Sequence, residues 1–280
     1  MSPQTSVQDR LDDSRLAAVR ALVRDAPGSA DTPPISEQGM LALSEPGRHL
    51  LAYDGDAVLG YAQLAADGAV ELVAVDVDAA LALLAELPPG SRLWAHGERS
   101  VAHLAAVRAG LRPVRTLLQL RATLTEVAER PLPDGVRIRP FVPGQDDAAW
   151  LAVNARAFAS HPEQGRWSQH DLDQRLQADW FDPAGFLLAV SGDRLLGYHW
   201  TKVHAELEPP AGEVYVLGVD PDAQGLHLGS ALLAAGLRHL LGRGLSTVLL
   251  YVEQDNTAAV RLYQRAGFTT FAVDLQYVVG

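Results

Sequence analysis

Two stretches of the 280-residue chain carry residue types that can do chemistry, at a spacing chemistry can use. The first is VDPDAQGLHLGS (219–230), a polar, Gly-bearing turn that follows an apolar strand and leads into a Leu-rich amphipathic run. Such a turn gathers backbone N–H groups at a helix N-terminus, where the helix dipole is positive, and so offers a site for phosphate. It serves equally as a tight connection that holds no ligand. The second is LLYVEQDNTAAVRLYQRAGF (249–268), an apolar strand that ends in polar residues. Asn256 there is placed to cap a helix over Thr257–Arg265, Gly267 to end it, and Phe268 to return to the core. Tyr263 lies two turns into that helix, where it is either a proton donor or an aromatic packed on the apolar face.

Other chemistries are excluded or unsupported. Cysteine is absent, which removes disulfides, thiolate metal sites and a cysteine nucleophile. His199 and His204 stand five apart on a strand and so face opposite sides; no metal is expected. His161 falls in a loop, and His96, His103 and His239 read as surface or interface residues. The net charge of −11 argues against nucleic acid as a partner but leaves room for an anionic ligand held by backbone amides. The first residues are polar where a signal peptide is apolar, and no apolar run approaches ~18 residues. The expectation is a cytoplasmic protein with no membrane segment, acting as a monomer.

The elements that position these residues occur twice. LLAYDGDAVLGY (50–61) matches LLAVSGDRLLGY (187–198) at 8 of 12 positions, each reading as two strands about a Gly-Asp turn. ELVAVD (71–76) answers EVYVLGVD (213–220), and WAHGERSVAHLAAVRAGL (94–111) answers YVEQDNTAAVRLYQRAGF (251–268). Between the halves lies the Pro- and Gly-rich AERPLPDGVRIRPFVPG (128–144). The expected fold is α/β with a mixed sheet, built as tandem domains over 1–130 and 131–280. The halves differ at one place: 18 residues separate Asp76 from Trp94, whereas 31 separate Asp220 from Tyr251. The first half is thus 13 residues short at the turn that could hold phosphate, and has Arg99 and Ala106 where the second has Asn256 and Tyr263.

V-D-P-x-x-Q-x-x-x-x-G followed by Y-V-E-x-x-N-x-x-A-x-x-x-Y-x-x-x-G-F resembles the Gcn5-related N-acetyltransferase superfamily. NARAFASHPEQGRW (154–167), WFDPAGFLLAV (180–190), GYHWTKVH (197–204) and GEVYVLGVDP (212–221) resemble, within it, the tandem-domain mycothiol synthase family. The resemblance implies an acetyl-CoA-dependent N-acetyltransferase that acetylates the cysteinyl amine of cysteinyl-glucosaminyl-inositol. It implies acetyl-CoA contacts at Leu217, Gly218 and Val219, whose strand edge pairs with the pantetheine arm. The pyrophosphate loop would be Gln224, Gly225, Leu226, His227, Leu228, Gly229 and Ser230. Further cofactor contacts would be Asn256, Thr257, Ala258, Ala259, Val260 and Arg261. Substrate contacts would be Glu37, Glu163, Lys202, Glu213 and Tyr251; the 13-residue deficit at its loop makes the first domain non-catalytic by expectation.

An α-amine has a pKa of ~7.7–8.0, so its deprotonation is a mild demand. Glu213 is the candidate base, a backbone N–H near 217–219 the oxyanion donor, and Tyr263 the acid for the departing thiolate. One departure concerns the superfamily loop Q/R-x-x-G-x-G/A, in which His227 stands at the first glycine. A positive φ there would strain it; a helical one would leave its N–H aimed at phosphate. Two other readings stay open: a tandem acetyltransferase for another small-molecule or peptide amine, and a non-catalytic acyl-CoA-binding regulatory protein.

Overall fold

The computed structural model describes residues 3–26, 33–159 and 164–280. One order of elements runs through it twice. The first pass is β1 (Gln4–Gln8), α1 (Asp13–Asp25), α2 (Glu37–Ala42), β2 (Arg48–Asp54), β3 (Ala57–Leu64), β4 (Ala69–Ala74), α3 (Val77–Ala85), β5 (Arg92–Ala95), α4 (Val101–Arg108) and β6 (Arg112–Thr123). The second is β7 (Val136–Pro140), α5 (Asp147–Ala157), α6 (Gln169–Leu176), β8 (Phe186–Ser191), β9 (Arg194–His204), β10 (Ala211–Val219), α7 (Leu228–Gly242), β11 (Thr247–Glu253), α8 (Thr257–Arg265) and β12 (Thr269–Val278). The mixed α/β architecture is as expected.

Where the linear repeat suggested a division at residue 130, the chain packs as two compact units of interleaved segments. The first is Met1–Gln119 with Glu253–Asp255 and Thr270–Gly280; the second is Leu120–Val252 with Asn256–Thr269. In the first unit the strands run β1-β2-β3-β4-β5-β12, antiparallel except for the parallel pair β4 and β5. Side chains alternate across this sheet as the strand period requires. Leu50, Ala52, Ala62 and Leu72 join the core under α3 and α4, while Leu51, Tyr61 and Val73 pack with Val19 and Val23 of α1.

In the second unit the order is β11-β10-β9-β8-β7, again with one parallel pair, β10 and β11. Tyr198 and Trp200 of β9 face a core with Trp150, Phe186 and Leu172. His199, between them, points to the opposite face, where α7 packs. The contact there is close: a Cβ on Gly236 of α7 would lie 2.1 Å from the His199 ring. Helix α7 forms from a Leu- and Ala-rich run of strong helix formers and ends at Gly242; Gly244, just past the Arg243 cap, has a φ of 82° that suits glycine. No helix among the described residues is long and apolar enough to cross a membrane.

Candidate active site

The site starts with the way β10 leaves its neighbour. β10 pairs with β9 from Ala211 to Val219, yet meets β11 only at Gly212–Val248 and Glu213–Leu249. Past Glu213 the two parallel strands separate, and the edge of β10 that carries Leu217, Gly218 and Val219 has no ladder to β11. This half-buried edge leaves its backbone N–H and C=O groups open to a hydrogen-bonding partner. A β-bulge between Val214 and Val216, against Thr201 and Trp200, adds Tyr215 as the extra residue and resets the alternation. Gly218 also has a packing reason, since a Cβ there would lie 2.8 Å from the Tyr198 ring.

The chain leaves β10 through Asp220, which is buried, accepts from the Asp222 N–H and pairs with Arg156. Gly225 has φ 83° and His227 φ 57° and ψ 18°, so both lie in the left-handed region. His227 is the N-cap of α7 and its side chain makes no capping bond, which leaves the first amides of α7 without a side-chain acceptor. Leu228, buried with Leu196 and Ala223, pins the helix start. A cavity of about 760 Å³ opens here. It is lined by Val219, Gln224, Gly225, His227, Leu228, Gly229 and Ser230, by Leu233, Ala234 and Leu237 of α7, and by Ala258, Leu262 and Arg265 of α8. Two left-handed residues before an uncapped helix start form an anion-binding concavity, so these residues fit a phosphate-bearing ligand.

Helix α8 begins at Thr257 as expected, with the Asn256 side chain accepting from the Ala259 N–H at 3.2 Å. Tyr263 is its one buried residue, with its ring edge-on to Phe268. Its hydroxyl makes no hydrogen bond among the described residues, and burial pushes the phenol above the ordinary tyrosine range, which keeps it protonated.

On β10, Glu213 is 7% exposed and stands opposite Lys202 in register. Its Oε2 lies 2.7 Å from Nε2 of His204. The Lys202 ammonium sits 4.7 Å from the Trp180 ring centroid and 5.5 Å from that of Tyr215. Residues 152–268 match the Acetyltransferase (GNAT) family. A mycothiol acetyltransferase of Streptomyces coelicolor is 51% identical, the match covering 93% of this chain and 90% of that one. One from Thermobispora bispora is 48% identical over 93% and 94%. The chain belongs to the mycothiol acetyltransferase family. Solved structures share the fold at low identity. A GCN5-related N-acetyltransferase from Sphaerobacter thermophilus has a TM-score of 0.69 at 21% identity, over 98% of this chain and 94% of that one. A tandem GNAT protein from the clavulanic acid biosynthesis pathway has 0.68 at 14%, over 99% of each.

Within this mycothiol acetyltransferase-family chain, the expected residues are distributed unevenly. Seven of the residues carried over for the cofactor, from Val219 to Ser230, line the cavity as named above, and Ala258 joins them. Leu217, Gly218, Leu226, Asn256, Thr257, Ala259, Val260 and Arg261 are not part of that lining. Leu124, Glu126 and Val127, together with Ala128 and Arg130 of the Pro- and Gly-rich connection, close it from another side. Glu213 and Lys202 are brought together; Tyr251, on β11, is 37% exposed. Glu37 opens α2 in the first unit, after the Ser36 cap, and Glu163 and His161 lie outside the described residues.

Other histidines differ in environment. His199 is buried, its Nδ1 2.8 Å from the Leu232 carbonyl, and burial pushes its pKa down to about 4. His96, expected at the surface or an interface, is 10% exposed, with Nε2 2.9 Å from Glu71 and Nδ1 3.1 Å from Asp274. Burial opposes its charge, but the two carboxylates raise its pKa to about 10. No group of three or more metal-ligating side chains arranged for a metal occurs among the described residues.

The first unit has a parallel strand pair that separates in the same way, after Ala69–Arg92 and Val70–Leu93. The loop is what it lacks. Helix α3 starts at Val77, and Asp76 itself caps it, accepting from the Ala79 N–H at 2.8 Å. A carboxylate there occupies the helix start that a phosphate would need.

Proposed function

We propose that this chain transfers an acetyl group from acetyl-CoA to the cysteinyl amine of cysteinyl-glucosaminyl-inositol, with the chemistry in the second unit. The single observation that carries the reading is the 760 Å³ cavity between the left-handed turn 225–227 and α8, continuous with the strand residue Val219. It has the anion-binding start and the apolar wall that a pantetheine diphosphate requires, and Val219 at the end of the open β10 edge lines it. Bound there, acetyl-CoA supplies an acyl group activated as a thioester.

The chain's own residues do the rest. Backbone amides of Gly225 through Ser230 receive the diphosphate, and the free edge of β10 at 217–219 pairs with the arm and offers an N–H to the carbonyl oxygen as it becomes negative. Glu213 takes a proton from the attacking amine, and Tyr263, kept protonated by burial, gives one to the departing sulfur. Lys202 and Tyr251, on the two strands that flank β10 in the second unit's sheet, hold the acceptor. The first unit is non-catalytic in this reading, because Asp76 caps the helix where its loop would be. The protein works in the cytoplasm, where acetyl-CoA is supplied.

The test is incubation with acetyl-CoA and a panel of amines: cysteinyl-glucosaminyl-inositol, a polyamine, an aminoglycoside and a short peptide. Acetylation is read as a mass gain on the amine alongside loss of thioester absorbance. Preference for the cysteinyl compound by a hundredfold or more in kcat/KM supports the reading. Equal or better use of another amine refutes the substrate, and no turnover of any amine refutes the activity.

A further inference from the structure

His204 has no part in the mechanism above, yet it is bonded to the residue that mechanism depends on. It is the last residue of β9, two beyond Lys202, and so shares with Lys202 the face of the sheet on which Glu213 stands. Its Nε2 is 2.7 Å from Glu213 Oε2, and its Nδ1 is 2.9 Å from Glu206 Oε1. Exposure rises along this chain of bonds: 9% for the Glu213 side chain, 18% for His204 and 70% for Glu206.

The geometry decides the protonation state. An ionised carboxylate oxygen only accepts, so a ring bonded to one carboxylate through each nitrogen donates from both. That ring is an imidazolium. Burial works against its charge, but the Glu213 and Glu206 carboxylates outweigh burial and the repulsion of Lys202, and its pKa lies above the ordinary histidine value.

We propose that His204, as an imidazolium, is the positioning residue of the acetyl transfer: it holds Oε2 of Glu213 and leaves Oε1 as the atom that receives the amine proton. The inference rests on the proposed role of Glu213. As the N–C bond forms, one N–H proton passes to Oε1. As the C–S bond breaks, its electron pair leaves on sulfur, which takes a proton from Tyr263. One proton is taken and one given, so the net reaction changes the proton count of neither protein nor products. A nitrogen that has bonded to the carbonyl is strongly acidic, so a carboxylate suffices as its base. Glu206, at the solvent end, keeps the imidazolium charged.

The experiment compares kcat against pH, at saturating acetyl-CoA, for the wild-type enzyme, His204→Gln and Glu206→Gln. The wild type is expected to show a rising limb from the amine and a falling limb as His204 loses its proton. Glu206→Gln, which leaves Glu213 and His204 in place, is expected to move the falling limb to lower pH. His204→Gln keeps an N–H donor without the charge; it is expected to abolish the falling limb and to lower kcat by about ten- to a hundredfold, with KM for acetyl-CoA unchanged. A second readout is independent of turnover: NMR titration of ¹⁵N-labelled histidine should place His204 above ~6.5 in the wild type and lower in Glu206→Gln and Glu213→Gln. The proposal is overturned if both variants keep the wild-type pH profile, or if His204 titrates at or below an ordinary value. A wild-type enzyme that acetylates no amine would refute the function itself, a result separable from a normal histidine titration in an active enzyme.

Discussion

His227 holds a backbone conformation that L-residues avoid, and replacing it separates strain from ligand contact. At φ 57° and ψ 18° a side chain with a Cβ costs about 1–2 kcal/mol, toward the low end for histidine. His227→Gly removes that cost but gives the unfolded chain more freedom, worth about 0.5–1 kcal/mol. The net gain over the wild type is about 0.5 kcal/mol. At about 2–4 °C per kcal/mol for a domain of this size, the melting temperature should rise by about 1–2 °C. His227→Ala keeps the Cβ and loses the imidazole, so it should melt at or slightly below the wild type. Acetyl-CoA affinity should behave otherwise. The strain is already present in the unliganded protein, stands on both sides of the binding equilibrium and cancels. Calorimetry should therefore give dissociation constants within about twofold of wild type for both variants. Weakening by tenfold, about 1.4 kcal/mol, in both variants would mean that the imidazole itself contacts phosphate. A glycine variant less stable than the alanine variant would mean that residue 227 is not held in the left-handed region. Either result refutes the reasoning.

Tyr263→Phe should leave stability nearly unchanged, since the hydroxyl has no hydrogen-bond partner among the described residues to strand. It should lower kcat by ~10²–10⁴ with KM for acetyl-CoA unaltered, and stopped-flow turnover that keeps more than a third of wild-type kcat with chemistry rate-limiting would return Tyr263 to a packing role. Gly236→Ala would set a Cβ 2.1 Å from His199, which should cost about 1–3 kcal/mol in denaturant unfolding; an unchanged midpoint would show that α7 does not press on that ring. His96 binds its proton more tightly folded than unfolded, with a pKa of about 10 against ~6.5. Its contribution to stability is therefore complete below ~6.5 and is lost as pH rises towards 10. Unfolding free energy should fall over that window in the wild type, and the fall should be missing in His96→Gln.

Much of this protein was legible in its sequence because the features are local. The Gly-Asp turns at 55–56 and 192–193, the Asn256 cap, the limits of α8 and the Gly267 stop depend on residues within a few positions, and the structure has them where their spacing put them. The tandem order and the missing loop followed from comparing the chain with itself. What tertiary structure alone decided involves partners distant in the chain. His96 read only as a surface or interface residue because its carboxylates lie 25 and 178 residues away, on β4 and β12. That β12 joins the sheet of the first unit depends on which strand edge is free, and strand composition does not specify an edge. His204 and Glu213 are nine residues apart, but their meeting depends on the β9–β10 register, with the bulge just beyond it. The left-handed state of His227 follows from Leu228 being pulled into the core while Gln224 stays extended, a constraint that exists only once both ends of the loop are packed.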